Sequence, residues 1–215
     1  MTLLHHHTDA TDTAAAGPDE RLSAPRARRD WQRASLVAGG VLFAVGNLLH
    51  PLEHTDAAYD SATWEAAHLI IFFSLPMLVL GLPVLHRRLV TRIDRRLATV
   101  AVAASVVGLI GIAPGTVIEA FVAPTIGHDA MTDLESGGLG AVNALLGSAY
   151  LGGTLALGWA VRKAGLRPRW AGPAIAVSAV ALLAMMGATG PAAGVVIIAA
   201  TAAYGLTLAA LAARS

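Results

Sequence analysis

Six stretches of the chain are apolar for long enough to cross a hydrocarbon core, which takes about 20 residues with a range of roughly 17 to 25. They fall near 34–51, 64–85, 97–122, 139–161, 171–189 and 191–212. The pattern predicts an all-α polytopic bundle of six transmembrane helices, occupying 31–215. Pro76 in the second stretch and Pro114 in the third are kink candidates, because proline removes a helix hydrogen bond that neighbouring helices can replace. The fourth to sixth stretches are rich in small residues, as in "LLGSAYLGGTLALG", which lets helices approach closely.

The charged positions add a direction. All 15 lysines and arginines lie before the first stretch, between the second and third, between the fourth and fifth, or after the sixth. The alternate connections hold none and instead collect Glu53, Asp56, Asp60, Asp129, Asp133 and Glu135. By the positive-inside rule both termini face the cytoplasm, and a missed or invented span would mix the two sets. Trp31, Trp64 and Trp170 stand at predicted span ends, where an amphipathic ring prefers the headgroup region. The location implied is the cell membrane, with multiple passes.

Composition sharpens this and excludes several classes. Hydrophobic residues make up 55% and charged residues 13% of the chain, and the mean hydropathy is +0.62, well above that of a soluble domain. The lipid bilayer is the main partner, with a second copy or another membrane protein left open. A net charge of +1 gives no concentrated basic surface for nucleic acid. Without cysteine there is no disulfide, thiolate ligand or CxxC exchange chemistry. Residues 1–30 are polar and rich in Ala and Pro, lack a signal-type apolar core and read as a disordered cytoplasmic tail; its tract His5, His6, His7 is at most a weak metal binder.

Candidate chemistry gathers at one height. At a rise of about 1.5 Å per residue, His50 lies about 26 Å above Arg33, His68 about 27 Å above His86, Glu119 about 33 Å above Leu97 and Asn143 about 29 Å above Arg162. Four helices thus carry polar groups to the outer leaflet. Asn47 lies one turn below His50, and His54, Asp56 and His128 belong to the outer loops; Pro51 argues against His54 continuing the first helix. His50, His68 and Glu119 supply the donor types of a His₂Glu site for a divalent metal such as zinc, with a position left for water. Were the site catalytic, a metal-activated water would be the nucleophile and Asp56 or His128 the proton carrier. Two other readings use the same residues. Helix ends near an interface can be polar simply because water is close, and His50 with His68 could ligate a b-type haem.

The runs "GNLLHP", "WEAAH", "VIEAFVAP" and "RKAGLRPRWAG", in this order, resemble a group of small bacterial six-helix integral membrane proteins of unknown function. The resemblance covers 31–213. It implies a helical bundle, directs attention to His50, Pro51, His68 and Glu119, and carries no assigned reaction.

Overall fold

A computed structural model describes the backbone of residues 18–185 and 190–214, with side chains for 27–184 and 190–214. The described residues are helical, without strands. The elements are α1 (Pro18–Leu49), α2 (Asp56–Tyr59), α3 (Ala62–Gly81), α4 (Pro83–Val90), α5 (Arg95–Val117), a π-helical segment (Ile118–Val122), α6 (Ala123–Ile126), α7 (His128–Ser136), α8 (Gly138–Lys163), α9 (Ala171–Met185) and α10 (Pro191–Ala213). Five helical stretches are long and apolar enough to cross a membrane: Ala27–Leu49, Ala62–Val90, Arg95–Ile126, Gly138–Lys163 and Pro191–Ala213. The fifth predicted span is shorter in its described part, α9 having 15 residues, and 186–189 lie outside the described residues. So do the first 17 residues and their histidine tract; α1 begins at Pro18, inside the stretch read as tail.

Local chemistry sets the boundaries. Asp94 caps α5 by accepting the Leu97 amide at 3.1 Å, and Thr55 caps α2 through the Ala58 amide at 3.2 Å, each satisfying a donor that the first helical turn leaves bare. Pro83 and Pro191 open α4 and α10, where their missing N–H costs nothing. Pro76 lies inside α3 without ending it. Beyond Pro114, α5 changes to π geometry at Ile118, an irregularity frequent where a helix serves a site.

Six helices close into a ring. α1 packs on α3, α3 on α5, α5 on α8, α8 on α9, α9 on α10 and α10 back on α1. The interior is filled by Leu36, Phe43, Leu75, Leu78, Leu109, Leu157, Tyr204 and Leu208, while Val100, Val107, Ile110, Leu145, Val177 and Val180 face outward, an arrangement suited to lipid. Ser105 Oγ donates to the Gly153 carbonyl across α5 and α8 at 2.9 Å.

The two ends differ in charge. At one, the Arg33 guanidinium donates to the Ala213 carbonyl and Arg88 to the Leu211 carbonyl at 2.6 Å, joining the start of α1, α4 and the end of α10. At the other, His50, Glu53, His54, His128, Gly190 and Gly194 line one cavity of about 420 Å³, joining the end of α1 to the starts of α7 and α10. Trp31, Trp159 and Trp170 are exposed, and Lys163 Nζ stands 5.0 Å from the Trp159 ring centroid. Trp64 departs from the expected interface anchor: it is fully buried.

The seam between α1 and α10 is closed by glycine against glycine. A Cβ on Gly205 would lie 2.5 Å from the Gly40 carbonyl oxygen, and one on Gly40 would meet Gly205 in return. Gly205→Ala should therefore force the two helices apart and cost about 1–3 kcal/mol. Gly147→Ala, whose Cβ would meet nothing within 4 Å, should be neutral or stabilising by up to ~1 kcal/mol. Unfolding midpoints of the two variants in detergent check the difference; equal losses would refute the close-packed seam.

Candidate functional site

The site begins with the way two rings are tied to backbone. His50 stands just past the last turn of α1, and its Nδ1 is 2.7 Å from the Pro51 carbonyl oxygen. His68 lies in the second turn of α3, with Nδ1 2.8 Å from the Trp64 carbonyl oxygen. A carbonyl oxygen only accepts, so in each ring Nδ1 carries the proton. Both Nε2 atoms then present lone pairs, and they stand 3.2 Å apart. With both rings neutral this contact has no proton in it. A positive centre between them, a shared proton or a metal ion, turns it from repulsive to attractive. Two nitrogens on a tetrahedral zinc ion with bonds of about 2.0–2.1 Å lie about 3.3 Å apart, and an Nδ1–H held by a carbonyl is the usual support of a metal-ligating imidazole.

Around this pair lies a cavity of about 270 Å³ whose walls include Asn47, His50, His54, His68, Glu119 and Thr201. Glu119 belongs to the π-helical segment. Its backbone carbonyl accepts from the buried Trp64 indole at 2.6 Å, while its Oε2 is buried without a hydrogen-bond partner. A buried carboxylate oxygen left bare is uncommon and asks for a ligand, a water or a proton. Asn47 is buried and turns its amide nitrogen to the Phe43 carbonyl at 2.7 Å, leaving its oxygen for the cavity.

Aromatic contacts fix the cluster from above. The Trp64 ring centroid is 4.5 Å from that of His68, 5.2 Å from those of His50 and His54, and 4.6 Å from that of Tyr59. Tyr59 and Trp64 form a small apolar cap with Ala123 and Met131. Burial first, then the carboxylates of Glu119, Glu135 and Asp56, push the Tyr59 phenol up to about 12; it stays protonated. Burial first, then the nearby His50 and His128, push the His54 imidazole down to about 4; its exposed outer edge lets water screen part of this effect.

The other sequence candidates take different places. Asp56 Oδ1 accepts the His128 amide at 2.8 Å and so ties the start of α2 to the start of α7. His128 Nδ1 is buried without a partner, and its ring is 6.2 Å from Tyr59. Asn143 is half-buried on α8, is not among the residues lining either cavity near His50, and makes no side-chain hydrogen bond to another described residue. Trp64 is the residue that sequence reasoning misplaced. Its spacing of four before His68 put both on one helical face, the signal that could have found it.

Three ligands do not converge. Among the described residues no three His, Asp or Glu side chains are grouped to hold a metal ion; the expected His50, His68 and Glu119 set is present as a histidine pair with the carboxylate elsewhere on the cavity wall. A haem is less well accommodated still, since its axial nitrogens stand on opposite faces of a macrocycle, about 4 Å apart at bonds near 2 Å, with the ring plane between them. No family model, curated protein or solved structure matches the chain, and the site is read from its geometry.

Trp64→Phe keeps the ring stack but removes the donor to the Glu119 carbonyl. The loss should be about 1–2 kcal/mol in unfolding free energy, against less than ~0.5 kcal/mol for Trp31→Phe at an exposed position. Chemical unfolding of both variants in detergent makes the comparison, and equal effects would mean the indole bond contributes nothing.

Proposed function

We propose that this is a multi-pass cell-membrane protein of six spans, both termini cytoplasmic, whose outward-facing pocket binds a divalent metal ion of the zinc class through His50 and His68. The observation that carries the metal is the pair of opposed Nε2 lone pairs 3.2 Å apart, each ring held by a carbonyl at Nδ1. Imidazole donors suit zinc, copper and nickel more than magnesium or calcium. The bare Glu119 oxygen lies on the wall of the same cavity, whose 270 Å³ leaves space for water or a small polar ligand to complete the coordination. Its function on this reading is binding, with Asp56 holding the His128 amide at the start of α7.

Support for six crossings comes from the two ends. Arg33 and Arg88 hold the last turn of α10 beside the start of α1, so an even number of crossings separates them, and α9 added to the five long apolar stretches brings the count to six. Sorting every basic residue to one side follows the positive-inside rule. A second reading, a non-catalytic partner-binding protein with structural polar ends, draws on the absence of a third converging ligand among the described residues.

Two measurements test these readings. The chain has no cysteine, so single cysteines report cleanly: Glu53→Cys and Asp129→Cys should react with a membrane-impermeant maleimide on intact cells, while Arg92→Cys and Arg167→Cys should react only after lysis. The opposite pattern would reverse the orientation, and a mixed one would remove the six-span reading. Separately, detergent-purified protein loaded with zinc and desalted should retain about one ion per chain, with affinity at least ~10-fold lower in His50→Ala and in His68→Ala. Folded protein that retains no zinc, or variants that bind as well as the parent, would leave the structural reading standing.

A further inference from the structure

The basic end carries a cavity that the metal reading does not use. About 870 Å³ in volume, it lies between the start of α1, α4 with the turn after it, and the end of α10, and is lined by Arg29, Arg33, Arg87, Arg88, Arg92 and Arg214, with Asp30 the one acidic residue on its wall among the described residues. Two of the arginines are committed. Arg33 and Arg88 donate to the Ala213 and Leu211 carbonyls, meeting the unsatisfied acceptors and the negative pole at the end of α10. The guanidinium groups of Arg29, Arg87, Arg92 and Arg214 make no hydrogen bond or ion pair with another described residue, and all four are exposed.

Four guanidinium groups around one cleft repel each other unless an anion sits among them. Their forked donors match phosphate oxygens two at a time. The cleft also lies at the end of apolar helices, beside Trp31, whose exposed ring follows Arg29 and Asp30 on α1. Val84, buried beneath the arginines, gives the cleft an apolar floor. A basic pocket between helix ends, apolar below and open at headgroup level, has the chemistry of a phospholipid phosphate site.

We propose that this cleft seats the headgroup of an anionic phospholipid, its phosphate held by Arg29, Arg87, Arg92 and Arg214 and its acyl chains running down the outer faces of α1 and α4. The site rests on the chain lying in a bilayer and is independent of the histidine pair. It gives the bundle a fixed lipid at the seam between its first and last helices, where Arg33 and Arg88 already bind.

The test uses the full chain in neutral detergent. Phosphatidylglycerol should raise the thermal midpoint by about 4 °C or more over phosphatidylcholine of the same acyl chains, and native mass spectrometry should find it retained. Arg29→Gln/Arg92→Gln, which removes two exposed groups without hydrogen-bond partners, should abolish both effects. Arg95→Gln/Arg96→Gln, equal in charge and outside the cleft, should preserve them. An equal response to both lipids, or an undiminished response in the cleft variant, would overturn the proposal. A shift reproduced by inorganic phosphate alone would overturn the lipid as the source.

Discussion

Hydrocarbon offers no hydrogen bonds, and this constraint organises the molecule. Every backbone amide and carbonyl at membrane depth needs a partner within the protein, so the apolar stretches are helices and their ends are where exceptions gather. The exceptions are not evenly shared. At the basic end they are met by arginine on the carbonyls of α10. At the acidic end the chain uses indole, imidazole and carboxylate: Trp64 on the Glu119 carbonyl, His50 and His68 on the Pro51 and Trp64 carbonyls, Asp56 on the His128 amide. The site is a by-product of satisfying helix ends with groups that have further chemistry to offer.

That origin explains its geometry. An imidazole that spends its single proton on a carbonyl must present a lone pair at its far nitrogen. Two such rings face each other here because α1 and α3 pack antiparallel and bring His50 level with His68. The π-helical segment then turns Glu119 onto the same cavity. Each part has a local cause, and together they leave a concentration of unshared electron pairs in a small space.

Much of this could be read from residues, and the failures are instructive. Bundle class and the sorting of charge follow from long apolar runs and from where arginine is absent; His50, His68, Glu119 and Asn47 were found by height alone and do line one cavity. Height carries no azimuth, which is why Asn143, at similar depth on α8, lies off the cavity. Trp64 looked like an interface anchor because tryptophan at a span end usually is one, and only tertiary packing buries it under Tyr59 and Met131. Asp56 is drawn to an amide 72 residues away, a contact no local pattern encodes.

The ring of helices follows chain order, each packed on its predecessor, and the contact between α1 and α10 closes it by joining its first and last members. The cavity shares this dependence, since Phe43, His50 and Glu119 come from early helices while Thr201 comes from α10. During synthesis the early helices can pair as they emerge, but the wall that encloses the histidines arrives with the final helix. Until then the lone pairs of His50 and His68 stand in an open cleft whose last side has not yet been made.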